Sequence, residues 1–163
     1  LRRQRQMCIR DRVCTAHGEV SRHAEEAAQN FPDMTRIMVD GCREGWHDFD
    51  NEFRLYSDEF IREMAARHCL IGLNFSRGFL SRDKNGGGLE DLCRHVFRFL
   101  ELGAEKNLAL GSDYDGTDIH PELDSVEKAL GIRDYLVARG VPAETADGIV
   151  FDNARRFFSR AMA

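Results

Sequence analysis

Short apolar segments that alternate with helix-forming segments are the feature that most constrains the fold of this chain. The four apolar segments are Val13–Ala16, Thr35–Val39, Cys69–Phe75 and Leu108–Gly111. Each is as long as a typical strand and too short for an ordinary helix. The alternation predicts parallel strands joined by helices, because parallel strands need long crossover connections. The predicted fold class is therefore α/β, with about four parallel strands and flanking helices.

A polar residue stands at the end of each apolar segment. These residues are His17, Asp40, Asn74 and Asp113. Because the carboxyl ends of parallel strands meet at one edge of a sheet, a functional site is expected at that edge. Four strand–helix units make half of a (β/α)₈ barrel of the TIM type, but they also suffice for a small doubly wound sheet. The alternation alone does not separate these two folds.

The helices are predicted from periodicity and from capping residues. They cover Glu19–Asn30, Asp58–His68, Leu89–Leu102, Ser125–Arg139 and Ala143–Ala161, the last with a break near Phe151. Ser57 is a favourable N-cap for the second of these helices. A run of glycines ends the segment Arg77–Gly88, which is predicted to be a loop.

Composition excludes several classes of protein. The chain has 163 residues, 42% of them hydrophobic, and a formal net charge of −5. This apolar content is too high for a disordered chain, no apolar run is long enough to span a membrane, and the acidic balance gives no support for nucleic-acid binding. The five cysteines are odd in number and include no Cys-x-x-Cys pair, which favours a reducing, cytoplasmic location over a disulfide framework.

Residues 1–12 differ from the rest of the chain. They hold five arginines and one acid, a local charge of +4, so the other residues together carry −9. No apolar core of a secretory signal is present in them. We expect a basic leader that is disordered or non-native, followed by one partial domain over residues 13–163.

The segment DYDGT, residues 113–117, is the sharpest motif, because it places two carboxylates two residues apart directly after an apolar strand. It resembles the nucleophile motif of haloacid-dehalogenase-like phosphatases, in which Asp113 would accept the phosphoryl group and Asp115 would act as acid and base. That motif normally lies near the start of its domain. Here fewer than fifty residues follow it, which argues against the phosphatase interpretation.

A longer series of motifs resembles the membrane dipeptidase family of zinc peptidases. The series consists of SDEFI at residue 57, LIGLNF at residue 70, LALGSDYDGT at residue 108, PEL at residue 121 and DNARRFF at residue 152. Their order and spacing agree with the family together, which is far more specific than any one motif. The resemblance covers most of the chain after residue 12, and it matches the C-terminal half of the family only.

The resemblance implies a (β/α)₈ barrel with two zinc ions that hydrolyses dipeptides. Asp113 matches the acid that transfers a proton to the substrate nitrogen, and Arg54 matches the arginine that binds substrate. Leu55 departs from the family, which usually has asparagine there. His17 matches a zinc-ligand histidine at a strand end. The second such histidine has no direct match, so Asp40 and His47 remain alternative ligands.

The resemblance also shows what is missing. The family's N-terminal His-x-Asp strand and its bridging glutamate have no counterpart in this sequence. We therefore expect at most a partial zinc site, and a chain that is inactive unless it pairs with the missing N-terminal half or with a second copy of itself. Three interpretations follow: a truncated zinc dipeptidase, a phosphatase that uses DYDGT, and a non-catalytic fragment.

Overall fold

The structure is a computed structural model that describes residues 13–16, 35–39 and 58–161. For residues 13–16 and 35–39 it describes only the backbone, as it does for Phe60 and Ala161. The leader expected at residues 1–12, the helix predicted over Glu19–Asn30 and the proposed cap Ser57 all lie outside the described residues.

A parallel sheet organises the described part of the chain. Its strands are β1 (Val13–Ala16), β2 (Thr35–Val39), β3 (Leu70–Leu73) and β4 (Leu108–Leu110). They lie side by side in chain order, and each neighbouring pair is parallel. The predicted α/β class with four parallel strands is therefore confirmed for the described residues.

Helices occupy most of the remaining described residues. They are α1 (Asp58–Ala66), α2 (Arg77–Leu80), α3 (Leu89–Glu101), α4 (Val126–Ala129), α5 (Ile132–Ala138), α6 (Ala143–Asp147) and α7 (Asn153–Ala161), with a π-helical turn at Gly148–Asp152. The turn contains Phe151 and joins α6 to α7 without leaving helical conformation. The predicted break near Phe151 is therefore a change of helix type and not an end of the helix.

Two predicted helix boundaries are wrong. The helix predicted over Asp58–His68 corresponds to α1, which ends at Ala66. It ends there because His68 adopts a left-handed conformation with φ 57°. This conformation lets the Cys69 N–H donate to the carbonyl oxygen of Met64 at 3.0 Å, which satisfies a helix-end acceptor. The helix predicted over Ser125–Arg139 is divided between α4 and α5, and the division falls at Gly131, a residue that weakens helix interiors.

The loop predicted over Arg77–Gly88 is also wrong at its start, where α2 forms a helical turn. The carbonyl oxygen of Ser76 accepts from the N–H groups of Phe79 and Leu80, at 3.0 Å in each case. The side chains of Phe79 and Leu80 are buried, so the turn is stabilised by apolar packing. The glycines that indicated a loop occupy only its last residues.

The two faces of the sheet pack against different parts of the chain. On one face, side chains from β3, β4 and most of the helices form the larger core; they include Ile61, Met64, Ile71, Leu73, Leu92, Val96, Phe99, Leu108, Ile132, Leu136 and Ile149. Side chains alternate along a strand, so Leu70 and Ala109 lie on the opposite face. They pack there with Phe157 of α7. Helix α7 therefore covers part of this second face.

Candidate active site

The carboxyl ends of β3 and β4 bring together two polar residues that are far apart in sequence. Leu73 pairs in register with Leu110, and the Gly111 N–H donates to the Leu73 carbonyl oxygen at 2.9 Å. Just beyond these strand ends, Asn74 Nδ2 donates to Asp113 Oδ2 at 3.2 Å. Asn74 is 1% exposed, whereas Asp113 is partly exposed. The buried amide of Asn74 thus holds the Asp113 carboxylate, which remains accessible to solvent.

The backbone of the DYDGT segment is strained around this carboxylate. Asp113 has φ 57° and Asp115 has φ 66°, a left-handed conformation that residues with a side chain rarely adopt. Residues held in this way cluster at functional sites, where the surrounding structure overcomes the cost. Gly116 follows in the same turn, and its N–H donates to the Asp113 carbonyl oxygen at 3.1 Å.

Gly116 lies close to the Asp113 carboxylate. A Cβ atom built on Gly116 would be 2.5 Å from Asp113 Oδ1, closer than such atoms approach. A residue with a side chain at this position would therefore displace the carboxylate.

Contacts between the loops that follow β3 and β4 hold the turn in place. Thr117 Oγ1 donates to Ser76 Oγ at 2.8 Å, and the Arg77 N–H donates to the Asp118 carbonyl oxygen at 3.0 Å. Ser76 also forms an isolated antiparallel bridge with Ile119. We call this set of contacts, together with the contact between Asn74 and Asp113, the loop clamp. It joins the candidate carboxylate and the residues that follow it to the loop after β3.

The side chain of Tyr114, which lies between the two acids in sequence, holds the segment in place through two contacts. Its ring packs edge-on against Phe75, with ring centroids 6.0 Å apart, and its hydroxyl donates to the Ser125 carbonyl oxygen at 2.8 Å. Burial raises the pKa of Tyr114, and the carboxylates of Asp124 and Glu127 raise it further. The hydroxyl therefore stays protonated at neutral pH and keeps its role as a donor.

Of the site residues predicted from the sequence, the structure describes Asp113. The other four, His17, Asp40, His47 and Arg54, lie outside the described residues. The strands β1 and β2 end directly before His17 and Asp40 in sequence, and both strands run parallel to β4.

Within the described ranges, no group of three or more histidine, cysteine or acidic side chains is arranged to hold a metal ion. Asp113 has the amide of Asn74 as its neighbour, and an amide nitrogen does not ligate zinc as imidazole, thiolate or carboxylate groups do. The described residues do not, by themselves, fit a zinc site.

A cavity of about 670 Å³ lies away from this edge, near the residues that precede β4. Its lining includes Glu105, Lys106, Asn153 and Arg156, and it includes neither Asp113 nor Asn74. The candidate site is therefore identified by the Asp113 carboxylate and its strained backbone, and not by the presence of a large cavity.

The sequence interpretation missed the supporting residues of the site. Asn74 was recognised as a polar strand end but received no role, and Ser76 and Thr117 were not singled out. Their signal was weak, because a hydroxyl or amide side chain in a loop most often faces water. Their burial, at 1% exposure for Asn74 and 8% for Ser76, is visible only in the folded chain.

A parallel sheet with its candidate carboxylate beyond the carboxyl end of a strand defines an α/β protein with its candidate site at the edge where such folds carry functional residues. Residues 44–163 match the membrane dipeptidase family, peptidase family M19. The chain belongs to this family.

Individual relatives agree with this assignment. An uncharacterized protein in the pqqA 5′ region of Klebsiella pneumoniae is 27% identical over 103 residues, which cover 61% of this chain and 38% of that protein. The crystal structure of dipeptidase AC, a metallopeptidase of family M19, has 20% identity and a TM-score of 0.69, over 79% of this chain and 38% of its own.

A metallopeptidase from Rhodobacter sphaeroides, solved with a phosphinate mimic of the dipeptide L-Ala-D-Ala, has 19% identity and a TM-score of 0.68. The match covers 77% of this chain and 36% of that structure. At these identities, the structural likenesses establish the fold. The chain spans less than two fifths of the length of these relatives.

Within the part of the chain that the structure describes, every helix is too short or too polar to cross a membrane.

Proposed function

We propose that this chain is part of a zinc-dependent dipeptidase and supplies the carboxylate that moves a proton during peptide-bond hydrolysis. The observation that carries the proposal is the placement of Asp113. It lies beyond the carboxyl end of β4 in a strained turn, with one carboxylate oxygen held by Asn74. Family membership supplies the reaction class.

The proposed role of Asp113 follows from its position and chemistry. A carboxyl group that is fixed in place and partly exposed can take a proton and deliver it to the amine that leaves when a peptide bond breaks. The loop clamp holds the turn that carries the carboxylate, so Asp113 would be in position before substrate binds.

The other proposed residues follow the family resemblance. Arg54 would bind the substrate carboxylate, since a guanidinium group pairs with a carboxylate through two parallel hydrogen bonds. His17, with Asp40 or His47, would ligate zinc. Arg54 and His47 fall inside the residues that match the family, and His17 and Asp40 precede them. Bound zinc in such enzymes lowers the pKa of a coordinated water to about 7, which supplies hydroxide at neutral pH.

We also propose that the sheet is part of a (β/α)₈ barrel and that the complete site needs sequence beyond this chain. Two observations support this: the sheet has four parallel strands with helices between the last three of them, and the chain spans 38% of the length of dipeptidase AC. The remaining ligands would come from the N-terminal half of the barrel or from a second copy of the chain.

Parallel substrate assays test the reaction class. The chain is expressed as printed and also with any in-frame sequence that precedes it, and each form is assayed with a dipeptide and with a phosphate ester. We expect dipeptide hydrolysis by the longer form, its loss on chelation and its return with zinc. Hydrolysis of the phosphate ester without dipeptide hydrolysis would contradict the proposal and favour the phosphatase interpretation.

A further inference from the structure

The side chain of Asn74 has one orientation that satisfies both of its neighbours. Its Oδ1 accepts from the Ser76 backbone N–H at 2.7 Å, and its Nδ2 donates to Asp113 Oδ2 at 3.2 Å. If the amide were reversed, its NH₂ group would face the Ser76 N–H and its oxygen would face the carboxylate, so both hydrogen bonds would be lost. The Ser76 N–H therefore determines that the donor end of the amide faces Asp113.

The element that carries Asn74 is rigid. Asn74 is 1% exposed and follows β3, whose residues are all buried. Its neighbour Ser76 belongs to the loop clamp through Thr117 and Ile119. Asn74 and Asp113 are thus fixed by the same set of contacts, from two different strand ends.

We propose that Asn74 is a positioning residue for Asp113. Asn74 holds Oδ2, and Gly116 lies next to Oδ1, where a larger residue would displace the carboxylate. Asn74 would therefore set the direction in which the Asp113 carboxylate is presented. The catalytic consequence rests on the proposed function, whereas the pairing of the two side chains can be measured by stability alone.

A reciprocal exchange of the two side chains tests the pairing in the full chain. Asn74→Asp keeps an acceptor for the Ser76 N–H but turns a second carboxylate oxygen toward Asp113. The double variant N74D/D113N restores a donor and an acceptor in the reverse direction. Asn85→Asp adds the same charge on an exposed loop residue and serves as the control.

We expect N74D to lower the ratio of folded to unfolded protein, measured by urea denaturation, by about tenfold or more relative to N85D. The double variant should recover most of this loss, because the hydrogen bond is restored. If N74D is as stable as N85D, or if the double variant is no more stable than N74D, the pairing is refuted. If N74D does not fold and the double variant does, the result supports the pairing.

Activity separates positioning from a purely structural role. In dipeptide hydrolysis at equal folded fraction, N74D should lower kcat and leave KM unchanged, and the double variant should be stable but inactive. An N74D variant with wild-type kcat would overturn the positioning role. These rates are measured in the longest natural form of the protein, because the proposed site needs sequence beyond the printed chain. If that form hydrolyses no dipeptide with zinc, the proposed function fails, and the stability measurements still decide whether Asn74 and Asp113 are paired.

Discussion

At the scale of single residues, the DYDGT segment shows how a motif encodes a geometry. Asp113 and Asp115 adopt a left-handed backbone conformation, which aspartate tolerates better than most residues with a side chain. Gly116 leaves room for the Asp113 carboxylate. The motif indicated a site of two carboxylates after a strand, whereas the left-handed turn that carries them is visible only in the structure. The partner of the carboxylate, Asn74, lies 39 residues away and could be found only once β3 and β4 were paired.

His95 is a second residue that the sequence did not explain. It faces inward from α3 and is 5% exposed, and its Nε2 lies 3.1 Å from the carbonyl oxygen of Leu80, the geometry of an N–H donor. Burial lowers the pKa of His95 from 6.5 to about 4. The ring is therefore neutral at physiological pH, and this accounts for its position in the core.

The lowered pKa of His95 predicts how stability depends on pH. The unfolded chain binds a proton at His95 below about pH 6.5, whereas the folded chain binds it only below about pH 4. Stability should therefore fall as the pH drops between these values, by about 3 kcal/mol in total from this group. His95→Gln, which keeps an N–H donor for Leu80, should remove this part of the loss.

Urea denaturation of both proteins across this pH range measures the effect. As the pH falls, the unfolding free energy of the wild type should decrease more than that of H95Q. A difference between the two free energies that stays constant would show that His95 is not buried in its neutral form.

At the scale of elements, the sequence predicted strands better than helix ends. Short apolar runs define parallel strands because both faces of such a sheet are covered, and β1 and β2 match their predicted bounds. Helix ends depend on local conformations such as that of His68, and on packing such as that of Phe79. These are properties of the folded chain that periodicity does not contain.

Besides the apolar contact of Phe157, a buried polar side chain, Asn153, attaches α7 to β4. Its Nδ2 donates to the carbonyl oxygens of Glu105 and Leu108, at 2.8 Å in each case, and its Oδ1 accepts from Arg156 at 2.8 Å. The Leu108 carbonyl belongs to β4, the strand that leads to the candidate site. Asn153 therefore joins the last helix to the strand that positions Asp113.

Asn153→Ala should lower the unfolding free energy by about 1–3 kcal/mol for each buried carbonyl group that loses its partner. The matched control is Ser159→Ala, an exposed change on the same helix that is expected to lie within about 0.5 kcal/mol of wild type. Urea denaturation compares the two variants. Equal stabilities would show that the Asn153 contacts do not hold α7 against the sheet.

At the scale of the whole molecule, the proposed function depends on family membership and on the share of its relatives' length that the chain spans. The chain belongs to the membrane dipeptidase family and spans 38% of the length of dipeptidase AC. The sequence predicted the family from the order of several motifs, each of which was weak by itself. It predicted the α/β class for the same reason that it predicted the strands, whereas the metal ligands remain a proposal.

The most direct test of the account compares two conservative variants of the DYDGT segment, Asp113→Asn and Asp115→Asn. Both residues are left-handed, and asparagine tolerates that conformation, so neither change should unfold the turn. The measurement is kcat for dipeptide hydrolysis with zinc, in the longest natural form of the protein.

We predict that D113N lowers kcat by about 100-fold or more, as expected for loss of a proton-transfer group, whereas D115N retains most of the wild-type rate. Equal loss in both variants would show that both acids are needed for hydrolysis and would contradict the assignment of the role to Asp113 alone. A D113N variant with wild-type kcat would contradict the central claim that Asp113 transfers the proton.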